Sequence, residues 1–140
     1  MSTEENKALM RRFLEASVNQ DEAAFKELLA PDFVAHIPGG PADRDAFVQH
    51  NYRYVAAFSD RQFEAEGLVA EGDTVVARAT WRGTHSSAFM GLPPTGKQIV
   101  VSAVIVDRFR DGKSVEHWSL FDSLSMMQQL GLVPPPQPAR

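Results

Sequence analysis

Four histidines, His36, His50, His85 and His117, are the side chains of this 140-residue chain that ordinarily change charge nearest neutral pH. They lie far apart in the sequence, and no His-Glu-x-x-His helix, phosphate-binding loop, dinucleotide fingerprint or nucleophile elbow accompanies them. No metal or cofactor is therefore expected, and cofactor-free acid–base chemistry is the simplest enzymatic reading. His117 is the leading candidate base, next to Trp118 in the last strand-like run and able to share a face with Ser119. Asp122 closes that run and has two readings, a pocket acid or the N-cap of a helix beginning at Ser123. His36 is the third catalytic candidate, with a half-buried, backbone-satisfied histidine as its alternative. Asp107, beside Arg108, is explained without catalysis by a cross-strand partner such as Lys113 or Arg110.

The elements that must carry these residues are legible from period and punctuation. Ser2-x-x-Glu5 is a capping box, followed by Leu9, Met10, Phe13, Leu14 and Val18 at helical spacing. Asp21 caps a second, shorter helix that buries Phe25, Leu28 and Leu29 and stops at Pro31. Asp32 to Ile37 reads as a strand ended by Pro38-Gly-Gly-Pro41. A third helix begins near Asp43 and carries Phe47, Val48, Val55 and Phe58 on one side. Beyond Asp60 the pattern turns strand-like: Phe63 to Val69, Val75 to Thr84, Gln98 to Arg110 and Lys113 to Asp122. Asp111-Gly112 marks a hairpin, and Ser123 to Leu130 is a closing helix stopped by Gly131.

Helices followed by antiparallel strands give an α+β fold. The hairpin leaves two registers open. A three-residue turn with a glycine bulge sets Ile105 opposite His117, with Ala103, Ile105, His117, Ser119 and Phe121 on one face and Val104, Val106, Glu116, Trp118 and Asp122 on the other. A two-residue turn shifts the pairing by one. Ile99 to Val106 is apolar on both faces, so a homodimer is the simplest cover for the outer one.

Composition bounds the rest. One domain spans residues 1–133, and the Pro-rich segment 134–140 reads as a flexible tail. With no cysteine, disulfides and thiol chemistry are excluded, and a net charge of −4 leaves no basic footprint for nucleic acid or anionic membrane. The acidic N-terminus is unlike a signal peptide and no apolar run reaches the ~18–20 residues of a membrane span, so a cytoplasmic protein is expected.

The runs Gly83-Thr-His-Ser-Ser-Ala-Phe-Met-Gly-Leu-Pro-Pro-Thr-Gly-Lys97 and Asp111-Gly-Lys-Ser-Val-Glu-His-Trp118 resemble the SnoaL-like polyketide cyclases, or ester cyclases, from about Glu5 to Leu132. The resemblance implies a nuclear transport factor 2-like cone, in which helices pack on a curved, mostly antiparallel sheet around a pocket. It implies enolate chemistry on an apolar, carbonyl-bearing, polyketide-like small molecule, closed by intramolecular aldol attack. The family's strand histidine and the aspartate after its His-Trp step map onto Ile105 and Ser119, neither of which is a general base. The chemistry is then expected on other residues, with His36 at a position where the family carries a cavity-facing histidine. The alternatives are a different acid–base enzyme on the same cone, such as an isomerase or epoxide hydrolase, or a non-catalytic binding protein. Tyr54, Trp81, His85, Phe89, Met90, Ile105, Trp118 and Ser119 are the expected pocket residues. For His85, stabilisation of the following turn is the competing role.

Overall fold

The computed structural model describes residues 2–137; Pro138, Ala139 and Arg140, the end of the expected tail, lie outside the described residues. Helix α1 (Thr3–Asn19) starts at the capping box, with the Ser2 hydroxyl accepting from the Glu5 amide and the Glu5 carboxylate reaching back. Its buried stripe is Asn6, Leu9, Met10, Phe13, Leu14 and Ser17, one row at helical spacing. Asp21 caps α2 (Glu22–Glu27) and Asp43 caps α3 (Arg44–Ala56), each accepting from the amide three residues on.

The remaining chain builds one six-stranded sheet: β1 (Leu29–Ile37), β2 (Gly40–Asp43), β3 (Phe58–Glu71), β4 (Thr74–His85), β5 (Gln98–Arg110) and β6 (Lys113–Phe121). The spatial order is β2-β1-β6-β5-β4-β3, antiparallel throughout except for the β1–β6 pair. Helix α4 (Ser123–Leu130) closes the chain, and Gly131, at φ 82°, ends it in the left-handed conformation that glycine adopts without a Cβ penalty.

Three boundaries differ from the sequence expectation. Leu29 to Pro31 belong to β1 rather than to the end of α2. Pro31 is tolerated because the β1–β6 pairing is interrupted between Leu29 and Val34, where no ladder amide is required. The Pro38-Gly39 turn is followed by a short paired strand, β2, rather than by loop. Phe58 opens β3 instead of extending α3.

The end of α1 is tied to the rest by its own free carbonyls, which have no partners within the helix. Asn51 Nδ2 donates to Ser17 O at 2.7 Å, Arg61 Nε donates to Val18 O at 2.7 Å, and the Tyr52 hydroxyl donates to Gln20 O. α1 and α3 are thus held at a set separation over the sheet. Buried side chains fall into two clusters, one joining α1, α2 and α3 to the sheet around Phe13, Phe25, Phe33 and Phe47, the other around Phe58, Trp81, Ile99 and Met126.

Gly83 explains part of the Gly-Thr-His run, since a Cβ there would lie 2.9 Å from Phe58 Cβ. Gly83→Ala must therefore displace a fully buried phenylalanine at the start of β3. A loss of about 1–3 kcal/mol in urea-monitored stability is expected. An unchanged unfolding midpoint would refute this packing role.

Candidate functional site

A cavity of about 740 Å³ opens between α1, α3, α4, the Ala88–Met90 loop and the concave face of the sheet. That volume suits a drug-sized organic ligand. Its walls are mostly apolar or aromatic, among them Phe13, Phe47, Tyr54, Phe63, Phe89, Ile105, Phe121 and Met126.

His117 sits in this wall. It is buried against the rings of Phe13, stacked at 5.2 Å, and Phe47 at 4.8 Å. Its Nδ1 is 2.7 Å from Asp107 Oδ1, and the other carboxylate oxygen of Asp107 accepts from Ser114 Oγ at 2.5 Å. Asp107 and Ser114 have no exposed surface. An ionised carboxylate at Nδ1 can only accept, an arrangement that favours the tautomer with the ring proton on Nδ1 and the lone pair on Nε2. Among the described residues nothing hydrogen-bonds Nε2. The unit is an imidazole fixed in tautomer and orientation by a carboxylate behind it, the general logic of an activated base.

The β5–β6 register produces this arrangement. Asp111 and Gly112, at φ 53° and 79°, form a two-residue turn between Arg110 and Lys113. The pairing then slips between Phe109↔Ser114 and Arg108↔Glu116, so Val115 is an extra residue in β6. Ser114 and His117, three apart, would point to opposite faces of a regular strand. The bulge lets both reach Asp107. Beyond it Asp107 opposes His117 and Ile105 opposes Ser119, two residues from the Ile105–His117 pairing that a three-residue turn would give. A two-residue shift preserves the faces, and Ile105, His117, Ser119 and Phe121 all line the pocket.

Asp107 is the residue the sequence reading missed. It is not paired with Lys113 or Arg110; it shares parity with Ala103 and Ile105, and that alternation was the available signal.

The other candidates divide. Tyr54, Phe89, Met90, Ile105 and Ser119 line the cavity, whereas Trp81, His85 and Trp118 do not. Burial pushes the Tyr54 phenol up to about 12, so it stays protonated, and its hydroxyl donates to Met126 Sδ at 2.9 Å. Trp81 is core. His85 anchors the turn before β5, its Nδ1 accepting from the Thr95 amide at 3.1 Å.

Two of the catalytic candidates, His36 and Asp122, lie outside the cavity lining. His36 lies on the outer face of the sheet, because β1 runs parallel to β6 with Ala35 beside His117 and His36 beside Trp118. There it stacks on Trp118 at 5.0 Å and bonds Glu116 at 2.8 Å; with Arg108 it holds the Glu116 carboxyl below the usual carboxylate range. Asp122 is exposed and caps α4, accepting from the Ser125 amide at 3.1 Å. The sequence passed over His50 and Arg53, which stand at the rim of the cavity on α3.

Two substitutions separate a buried partner from a cap. Asp107→Ala leaves His117 Nδ1 without its partner in the core and is expected to cost about 3 kcal/mol, against about 1 kcal/mol for Asp122→Ala. Chemical denaturation of both variants measures the difference, and equal losses would contradict the assignment of Asp107 as a buried hydrogen-bond hub.

A family model described as SnoaL-like polyketide cyclase matches residues 7–130. Among solved structures, AclR from Streptomyces galilaeus, a proposed hydroxylase, is 32% identical with a TM-score of 0.87, over 95% of this chain and 100% of that one. IdmH from Streptomyces antibioticus, a proposed polyketide cyclase, is 35% identical with a TM-score of 0.82, over 90% and 98%. TsrD from Streptomyces laurentii is 26% identical with a TM-score of 0.85, over 95% and 99%. A comparison with curated proteins finds no match.

Proposed function

The chain belongs to the SnoaL-like polyketide cyclase family, and on that premise we propose that it is a cofactor-free cyclase in which His117 replaces the family's acid–base pair. The observation that carries this reading is the buried Asp107–His117 hydrogen bond, 2.7 Å long, behind a ring whose other nitrogen is free at an apolar cavity wall. Ile105 and Ser119, the positions of the family pair, face each other on the pocket side without a carboxylate or imidazole between them.

In the proposed reaction His117 Nε2 removes a proton from the carbon beside a ketone, leaving an enolate and an imidazolium. The Asp107 carboxylate stabilises that cation, and Ser114 keeps the carboxylate from turning away. The enolate carbon attacks a second carbonyl of the same molecule, forming the ring bond. The resulting alkoxide takes the proton back from Nε2, so the product is an isomer of the substrate and no redox partner is consumed. Ser119, two residues beyond His117 on the same face, offers a hydroxyl to the enolate oxygen. The apolar wall strengthens each of these charge interactions by excluding water.

One feature favours the non-catalytic reading instead, namely that among the described residues no aspartate or glutamate lines the cavity. Proton exchange separates the two. With an aromatic 1,3-diketone in heavy water, the protein is expected to speed loss of the carbon-bound proton, followed by NMR. His117→Asn should slow that exchange by about 10²-fold or more. No acceleration by the unaltered protein supports the binder, and acceleration retained in His117→Asn removes His117 as the base.

We further propose a homodimer assembled through the outer sheet face and a cytoplasmic location. Val76, Val104, Trp118 and Leu120 are exposed there on neighbouring strands, an apolar surface that a second copy would cover. Leu120→Glu is expected to convert a dimer to a monomer in sedimentation analysis. An unaltered protein already monomeric at micromolar concentration would contradict the interface.

A further inference from the structure

The cavity rim carries a charge that the proposed enolate chemistry does not use. His50 and Arg53 stand three residues apart on one side of α3, both exposed and both lining the pocket. Among the described residues neither takes part in a salt bridge or side-chain hydrogen bond, in contrast to Arg61, Arg108 and Arg110, which are engaged by backbone carbonyls or carboxylates. Arg53 lies in the last turn of α3, where the helix dipole favours a cation and no carboxylate is needed to hold it. Partial burial of the ring, and secondarily the charge on Arg53, keep His50 below the ordinary imidazole range. His50 is thus a neutral hydrogen-bonding group at neutral pH, and among the described residues Arg53 is the one full positive charge on the lining. Among the described residues no aspartate or glutamate lines the wall to compete for that guanidinium.

We propose that Arg53, assisted by His50, is a carboxylate-recognition subsite, and that the substrate is an aromatic or fused-ring ketone bearing a free carboxylate at its outer end. The proposal rests on the reading of the cavity as a site for an apolar, carbonyl-bearing small molecule. Phe47 packs on the His117 ring, and Arg53 is six residues further on along α3, a rise of about 9 Å, so the base and the rim cation stand at different levels of the helix. A guanidinium presents paired donors that match the two carboxylate oxygens. A chain of net charge −4 repels anions at long range, so any preference for an acid has to originate at this rim.

The test compares anthraquinone-2-carboxylate with its methyl ester, which has the same ring system and no charge. Titration calorimetry on the unaltered protein should show the acid binding about tenfold more tightly than the ester. Arg53→Gln should bring the two within about twofold while leaving the ester affinity unchanged, and Arg53→Lys should keep part of the preference. His117→Asn should retain the full preference, since the subsite is separate from the base. Equal binding of acid and ester by the unaltered protein, or a preference that survives the Arg53→Gln/His50→Gln double variant, overturns the subsite while leaving the apolar pocket intact. Failure of both probes to bind overturns the subsite together with the ligand class on which it rests.

Discussion

A carboxylate with no exposed surface persists only if both of its oxygens are hydrogen-bonded, because an unpaired buried charge costs more than most domains can lose. Asp107 meets that condition through His117 on one oxygen and Ser114 on the other. Those partners are three residues apart in β6, on opposite faces by strand parity, and Val115 is the extra residue that turns both toward β5. The hydrogen-bonding demand of one side chain and the irregularity of one strand are thus the same fact. Around them, Phe13, Phe33 and Phe47 wall in the imidazole from α1, β1 and α3. The helices are spaced over it by the Asn51, Tyr52 and Arg61 bonds to the end of α1.

On the proposed reading, the scaffold keeps the cavity of its family while moving the proton-transfer group. Ile105 and Ser119 remain cross-strand neighbours at the pocket wall. His117 is one inward-facing position away from Ser119, about 7 Å along the strand. A base displaced by that much reaches a different carbon of a ligand held in the same orientation, so a change of regiochemistry needs no change of fold. The rim cation at Arg53 then orients the ligand relative to the base, which is what an apolar wall cannot do alone.

Local chemistry was readable from the sequence where it acts locally. The capping residues Ser2, Asp21, Asp43 and Asp122 each accept the amide three residues on, and Gly131 stops the last helix; each signal lies within one turn of the event it controls. Asp111-Gly112 located the last hairpin, and the sets of residues on its two faces were correct. The register was left open between a two- and a three-residue turn; the two-residue turn is the one formed, and the bulge at Val115 that follows it answers the tertiary requirement of Asp107 rather than any turn residue. His36 was misplaced for a related reason. Its side follows from alternation with Phe33 and Ala35, both buried, while its parallel partner Trp118 is 82 residues away. Asp107 was discounted because flanking arginines and lysines offered an easier partner, though its parity with Ile105 placed it inward. The subfamily-like runs identified the fold almost end to end, yet the residues that carry the proposed chemistry stand outside the family's expected pair.

On the proposed reading Asp107 holds His117 with its proton on Nδ1 and leaves Nε2 as the base facing the cavity. Nitrogen-15 NMR of the histidine rings at neutral pH reads this tautomer directly. A pyrrole-type, protonated Nδ1 and a pyridine-type, unprotonated Nε2 are expected for His117, with the Nδ1 proton protected from solvent exchange. A ring protonated on Nε2 instead, with Nδ1 unprotonated, would contradict it.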